Sequence, residues 1–138
     1  MRLIGLNLTK MDLEKKSDDF KDMKLSTSID ISEVKEIKSE MFSKESLLLV
    51  KFEYVINYEK GIASLKFNGN IIVSLEEAKV KEVLGEWKNK KLPEAFRLSI
   101  FNIILKKVSV KALHFEEELN LPPHIPIPFF KPEKKKKD

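Results

Sequence analysis

The first third of the chain alternates between apolar and polar residues with a period of two, the pattern typical of half-buried strands. Residues 1–13 form one such stretch, and the alternation slips once, which predicts a bulge near Lys10. Residues 25–31 alternate again and predict a second strand. For residues 34–42 two interpretations stay open: a continuation of this strand, or an irregular crossing segment.

A long antiparallel hairpin follows. Ser46–Tyr58 alternates without a break, with the even-numbered residues from Leu48 to Tyr58 on one apolar face. After a turn at Gly61, residues 62–73 return with the same period. The polar step Asn68-Gly69-Asn70 interrupts this return strand and predicts a bulge or a kink.

The hydrophobic period then changes from strand to helix. Ser74 and Glu77 have the spacing of a capping box, and four apolar residues ending at Trp87 recur at i, i+3, i+4 and i+7. This pattern predicts a short amphipathic helix. Pro93 suits the first position of a second, long helix within residues 92–121.

The long helix has more apolar surface than one sheet can cover. Its first turns are apolar on well over half of the circumference, whereas a helix lying on a sheet needs only a stripe. We therefore predict a homo-oligomer, with this helix in the interface. The predicted interface residues are Phe96, Ile100, Phe101, Ile104, Leu105 and Val108.

The C-terminal residues predict no regular structure. Five prolines between Pro122 and Pro132 exclude a helix and favour an extended arm, and the run Lys134 to Lys137 predicts a disordered tail. Strands followed by helices predict an α+β fold: a four-stranded antiparallel sheet, a short helix and one long helix.

Composition and charge narrow the functional classes. The chain of 138 residues fits a single domain, and its lack of cysteine excludes disulfides and cysteine metal sites. No apolar run approaches the length of a membrane span, and the N-terminus has no signal-peptide core, so we expect a cytoplasmic protein without membrane insertion. The net charge of +4 comes largely from the lysine tail, which disfavours nucleic acid as a partner.

The sequence offers little for catalysis. His114 and His124 are the only histidines, and we predict that both lie on the surface. The consecutive carboxylates Glu116, Glu117 and Glu118 fan around a helix, so we predict a solvated face rather than a metal site. We expect no cofactor, no metal and no small-molecule substrate, and therefore no enzyme.

The order of elements resembles the SecB-type protein-export chaperones. That family has a Leu-Gly-x-aromatic step, a leucine and an Arg-x-x-Ile helix start, matched here by Leu84-Gly85-Glu86-Trp87, Leu92 and Arg97-Leu98-Ser99-Ile100. A Leu-Asn-Leu-x-Pro step is matched by Leu119-Asn120-Leu121-Pro122-Pro123, and an N-terminal strand end more loosely by Leu8-Thr9-Lys10-Met11-Asp12. The resemblance implies a SecB-like domain over residues 1–121, followed by an arm and tail over residues 122–138.

The resemblance also implies a function. It implies an ATP-independent holdase that binds unfolded or precursor polypeptides, assembled as a tetramer built from two dimers. An assembly protein, or a dedicated chaperone for one fixed partner, is the alternative. Some apolar residues at the ends of elements are needed neither for the packing of the sheet nor for the oligomer interface. We predict that these residues bind peptides: Met41, Phe42, Trp87, Phe129 and Phe130.

Overall fold

The computed structural model describes residues 1–38 and 46–133. Its elements follow the predicted order of strands and then helices. They are β1 (Arg2–Lys15), β2 (Leu25–Ile37), β3 (Ser46–Tyr58), β4 (Ala63–Leu75), α1 (Glu77–Trp87) and α2 (Glu94–Glu118). The four strands form one antiparallel sheet in the order β1-β4-β3-β2, so the predicted fold class is confirmed.

The β3–β4 hairpin forms the centre of the sheet. Its alternating residues lie on one face and are almost fully buried, from Leu48 to Tyr58 on β3 and from Ala63 to Val73 on β4. The predicted bulge in β1 is also confirmed, because the pairing with β4 shifts between Leu8 and Lys10. A further shift in β2, between Ile31 and Glu33, bends the second edge strand, which continues to Ile37.

The predicted bulge at Asn68-Gly69-Asn70 is wrong. These residues pair in unbroken register with Glu53, Phe52 and Lys51 of β3. Glycine is needed for space: a Cβ at Gly69 would lie 2.6 Å from the main-chain oxygen of Asn7 and 2.8 Å from Cζ of Phe52. The position therefore lets the Phe52 ring lie against the sheet.

The predicted capping box is also wrong. Ser74 is still part of β4 and is buried, and α1 begins at Glu77 with no side-chain cap. The strand extends past Ser74 because Leu75 still pairs with Ser46.

Helix α2 contributes a buried ridge that recurs at every fourth residue. Its members are Phe96, Ile100, Ile104, Val108, Ala112 and Glu116. Four of the six predicted interface residues belong to this ridge and are at most 8% exposed in the chain itself: Phe96, Ile100, Ile104 and Val108. Because they fill the chain's own core, they are not available to a partner, and that part of the prediction is corrected. Phe101 and Leu105 remain accessible.

Candidate functional site

Strand β2 forms one edge of the sheet, and β1 forms the other. An edge strand has main-chain N–H and C=O groups on one side that pair with no neighbouring strand. An added chain can use those groups for hydrogen bonds, whatever its side chains are. The β2 edge is therefore chemically competent to accept an extended polypeptide.

A groove of about 870 Å³ lies beside this edge, and we call it the β2 groove. Three segments form it: the middle of β2, the end of α1 with the following turn, and the first turns of α2. The lining residues are Ile29, Asp30, Ile31, Ser32, Trp87, Lys90, Lys91, Leu92, Glu94, Arg97 and Phe101.

The turn after α1 positions Trp87. The N–H of Lys90 donates to the Trp87 carbonyl at 2.8 Å, and the N–H of Lys91 donates to Glu86 at 3.3 Å, which is the Schellman pattern of helix termination. Lys90 takes the left-handed conformation that this motif requires, with a φ of +58°. The same turn brings the Lys90 ammonium to 4.8 Å from the centre of the Trp87 ring, so one edge of the groove carries a cation on an aromatic face.

The groove combines apolar walls with charges of both signs. Ile29, Ile31, Trp87, Leu92 and Phe101 supply the apolar surface. Lys90, Lys91 and Arg97 lie on the helical side, and Asp30 and Glu94 are the acidic residues. Such a lining suits an extended segment with apolar side chains and has no arrangement specific for one small ligand.

The structure separates the predicted peptide-binding residues. Trp87 lines the groove, as a site of this kind requires. Phe129 and Phe130 lie instead on the C-terminal arm and are 75% and 104% exposed. Met41 and Phe42 fall outside the described residues.

Sequence reasoning missed the contribution of Phe101 and β2. Phe101 was assigned to an oligomer interface because it lies on the broad apolar arc of α2. Its neighbour Ile100 fills the core, and Phe101 lines the groove together with Ile29 and Ile31. The alternation of β2 was visible in the sequence, but its place at the sheet edge depends on the strand order.

A second site, at the other end of α2, is closed and polar. Asn120 takes the left-handed conformation, and the Leu121 N–H donates to the Glu116 carbonyl at 2.7 Å, so α2 also ends in a Schellman motif. The chain then turns back over Glu116. The His124 N–H donates to Glu116 Oε2 at 2.7 Å, and His124 Nδ1 lies 2.5 Å from Glu116 Oε1.

Tyr58 completes this cluster, which we call the Glu116 latch. Its hydroxyl lies 2.5 Å from both Glu116 Oε2 and the Pro122 carbonyl, so it shares one proton between two acceptors. Burial, and then the hydrogen bond to Glu116, raise the pKa of Tyr58. Burial also raises the pKa of neighbouring Tyr54, against a hydrogen bond with Ser109 that lowers it. The latch joins β3, α2 and the start of the C-terminal arm.

Two predictions are therefore corrected. The side chains of Glu116 and His124 are each 1% exposed, so neither lies on a solvated surface. The three consecutive glutamates do fan around the helix, and for that reason one of them points inward, where the returning chain supplies its partners. His114 is exposed, as predicted.

Two absences hold for residues 1–38 and 46–133. In this part of the chain no group of three or more His, Asp or Glu side chains is placed to hold a metal ion. In the same residues neither helix is long and apolar enough to cross a membrane.

Comparison by sequence finds no matching family model and no matching curated protein. Comparison by structure finds the SecB-like chaperone Rv1957 of Mycobacterium tuberculosis, in complex with a ChAD peptide from the Rv1956 HigA1 antitoxin. The similarity covers 96% of this chain and 92% of that chain, with a TM-score of 0.50 and 11% sequence identity. The fold is SecB-like.

The SecB-like fold confirms the resemblance that the short sequence motifs indicated. At 11% identity the similarity establishes the fold alone. The residues of two of these motifs have identifiable structural roles. Trp87 forms part of the groove wall, and Leu119-Asn120-Leu121 forms the Schellman turn that leads into the latch.

Proposed function

We propose that this protein is a chaperone that binds extended, apolar segments of other polypeptides in the β2 groove. The observation that carries this proposal is the position of an apolar groove, with Trp87 and Phe101 in its walls, directly beside an edge strand. An incoming chain gains main-chain hydrogen bonds from the strand and apolar burial from the walls in the same pose.

The two contributions have different selectivity. Main-chain pairing is independent of sequence, and each hydrogen bond adds about 0.5–1.5 kcal/mol net. Burial of one large apolar side chain adds about 1.5–3 kcal/mol, so the aromatic walls choose segments with apolar residues at alternate positions. Folded proteins do not offer such segments, because their strands are already paired and their apolar faces buried. The groove therefore selects unfolded or partly folded chains, and release requires only dissociation.

A second candidate is a dedicated chaperone for one partner. It is favoured by the structural neighbour, whose bound peptide comes from a single antitoxin. A dedicated chaperone binds its own partner far more tightly than unrelated chains, whereas a general holdase binds many denatured chains with similar affinity. The groove chemistry described above favours the general holdase.

Suppression of aggregation tests the proposal. The full chain is mixed with several unrelated, chemically denatured proteins, and light scattering is followed on dilution. A general holdase suppresses scattering for all of them at comparable ratios. Protection of none of them would contradict general holdase activity, and a dedicated chaperone would then have to be sought by its affinity for one protein.

The site is tested with a matched pair of variants. Trp87→Ala combined with Phe101→Ser removes both aromatic walls, and Leu98→Ser removes an exposed apolar residue of α2 that is not part of the groove. We expect the double variant to lose most client binding and Leu98→Ser to retain it. Equal loss in both variants would place clients elsewhere on α2.

We further propose that the chain forms an oligomer through the outward side of α2. Leu98 and Leu105, seven residues apart and therefore on one side of α2, are 49% and 40% exposed, and large exposed apolar side chains on one helix side favour a second protein surface. A tetramer built from two dimers, with α2 between them, is the assembly that the resemblance implies.

A further inference from the structure

The C-terminal arm has an alternation of its own. In residues 122–133, which we call the proline arm, prolines stand at even positions from Pro126 onward: Pro126, Pro128 and Pro132. Ile125, Ile127 and Phe129 stand between them at odd positions. Pro122 and Pro123 precede this stretch at the latch.

This spacing has a specific meaning for an extended chain. Each residue of a strand directs its N–H and C=O to one edge, and the next residue directs them to the other. With prolines at alternate positions, one edge of the arm keeps every N–H while the opposite edge loses nearly all of them. The side chains at Ile125, Ile127 and Phe129 also share one face. In an extended conformation, residues 125–133 of the proline arm would therefore have one edge that keeps every N–H, an opposite edge that keeps only the N–H of Phe130, and an apolar face.

The arm becomes more exposed with distance from the latch, although Ile127 still lines a pocket with Val110 and Leu113 of α2. His124 is fixed by the Glu116 latch, and exposure then rises along the arm, from 39% at Ile125 through 55% at Ile127 to 75% at Phe129. Apolar side chains so exposed, on a segment fixed at its start, favour a binding surface outside the domain.

The groove of the same chain is a poor target. Phe101, in the wall of the β2 groove, lies about 22 Å from Glu116 along α2 at a rise of about 1.5 Å per residue. The six residues from His124 to Phe129 span at most about 18 Å when fully extended. An arm held at its start by the latch therefore falls short of the Phe101 wall when it runs parallel to α2.

Charge distinguishes the two sheet edges as targets. Strand β2 has three acidic residues against one lysine, whereas β1 has three basic residues against two acidic ones. The chain from Lys131 to the C-terminus has five lysines against two acidic residues. At the strands themselves, an arm that brings those lysines along is favoured at β2 over β1, although Lys90, Lys91 and Arg97 lie on the helical side of the groove.

We propose that the proline arm of one copy adds to the β2 edge of a second copy as a terminal strand, with Ile125, Ile127 and Phe129 facing the β2 groove. This arm exchange occupies the place of a client, and it rests on the proposed function because both use the same groove. The blocked edge of the arm then closes the sheet, since proline offers no N–H to a further strand. Arms and clients consequently compete for the groove.

Cysteine pairs test the exchange in full-length chains, since the protein has no cysteine of its own. Phe130 stands on the face of the arm directed away from the groove, and Asp30 stands on the outer face of β2, where it pairs with Glu53. A Phe130→Cys chain is mixed with an Asp30→Cys chain under mild oxidation. The control partner is Asn7→Cys, at the outer face of the opposite edge strand β1.

We expect disulfide-linked heterodimers with Asp30→Cys to exceed those with Asn7→Cys by about tenfold, because docking raises the local thiol concentration. Equal yields with both partners would show unspecific collision and overturn the proposal. A disulfide within one chain of a Phe130→Cys, Asp30→Cys double variant, with no heterodimer in the mixture, would also overturn it by showing an arm folded on its own domain.

A synthetic peptide of residues 122–133 tests the edge argument. Main-chain N-methylation at Ile127 blocks the competent edge, and the same change at Phe130 removes the one donor that Pro126, Pro128 and Pro132 leave on the opposite edge. The affinity of the peptide is measured by titration, from the shift in Trp87 fluorescence. We expect the methylation at Ile127 to weaken this affinity by about tenfold and the methylation at Phe130 to leave it unchanged. Equal effects of the two methylations would refute a one-edged strand.

The outcomes separate this proposal from the proposed function. If clients bind but the peptide does not, the arm exchange is wrong and the groove function stands. If the peptide binds but no client does, the groove serves only the protein's own arm, and the chaperone function is wrong.

Discussion

The two ends of α2 are covered in opposite ways. At its C-terminal end, the Glu116 latch encloses a carboxylate, a histidine and a tyrosine with almost no exposure. At its N-terminal end, the β2 groove leaves Trp87 and Phe101 partly open beside an unpaired strand edge. At the closed end, the Glu116 carboxylate, the Tyr58 hydroxyl and Nδ1 of His124 have hydrogen-bond partners, whereas buried Nε2 of His124 has none among the described residues. At the open end, apolar side chains are left partly uncovered. Stability and binding are thereby assigned to different ends of one helix.

This division has an energetic basis. A buried charge or hydrogen-bonding group is costly when it loses a partner, so a closed polar cluster fixes one arrangement of the chain. Apolar walls that stay half-buried cost little in the folded state and gain free energy when another chain covers them. Substitutions at the two ends should therefore change different measurements.

The largest effect on stability is expected from Glu116→Ala. The substitution removes the acceptor of the His124 N–H, the partner of His124 Nδ1 and one of the two acceptors of Tyr58, whose hydroxyl keeps only the Pro122 carbonyl. We expect the free energy of unfolding to fall by about 3 kcal/mol. Urea unfolding measures this, with Glu117→Ala on the exposed side of α2 as control, for which we expect less than about 0.5 kcal/mol. If both substitutions lowered the free energy of unfolding by the same small amount, the latch would not be the stabilising end of α2.

The next effect is expected from Tyr58→Phe and depends on pH. The variant loses a buried hydrogen-bond donor, which costs about 1–2 kcal/mol at neutral pH. The pKa of Tyr58 is raised in the folded chain, so its contribution is complete below the tyrosine pKa of the unfolded chain, about 10, and is lost as pH rises above it. In urea titrations from neutral pH to pH 11, we expect stability to fall less steeply above pH 10 in Tyr58→Phe. If stability falls equally steeply above pH 10 in both proteins, ionisation of Tyr58 does not cause the loss of stability.

A smaller stability effect is expected from Trp87→Ala at the open end. The ring is half-buried, so we expect a loss of about 1 kcal/mol, while client affinity falls by about tenfold. Glu116→Ala, measured at a temperature where it remains folded, should retain client affinity. If Glu116→Ala lost client binding and Trp87→Ala did not, clients would bind at the C-terminal end of α2 rather than in the β2 groove.

The smallest stability effect is expected from Leu105→Glu. Leu105 is 40% exposed within the chain, so a carboxylate there changes the stability of a subunit by less than about 0.5 kcal/mol. If this side of α2 contacts another copy, sedimentation should show a smaller assembly, because the carboxylate would be buried without a partner. An unchanged assembly would place the subunit contacts elsewhere.

The sequence predicted those parts of the molecule in which the hydrophobic pattern is compatible with only one secondary structure. Strand β3 is an example: its unbroken alternation and the turn at Gly61 that follows it allow little else. The latch could not be predicted in this way, because Glu116 has the same neighbours in sequence as Glu117 and Glu118, and only the Schellman turn brings His124 back to it. The turn itself was hidden, since its left-handed residue is Asn120 rather than glycine. Of the groove residues, the sequence predicted only Trp87 as peptide-binding. The other walls could not be predicted, because they depend on the order of the strands in the sheet.

The ridge of α2 has a geometric consequence. Steps of four residues advance by about 40° beyond a full turn, so the ridge winds around the helix and rotates by about 160° between Phe96 and Ala112. One flat layer cannot cover a winding ridge, and the cover changes along it: Val83 of α1 lies near Phe96, the sheet covers the middle, and the returning chain covers Glu116. The outward side winds by the same angle. A straight partner helix can therefore follow it only over a short crossing, and any assembly through α2 must be made of local contacts at an angle rather than of two helices aligned along their length.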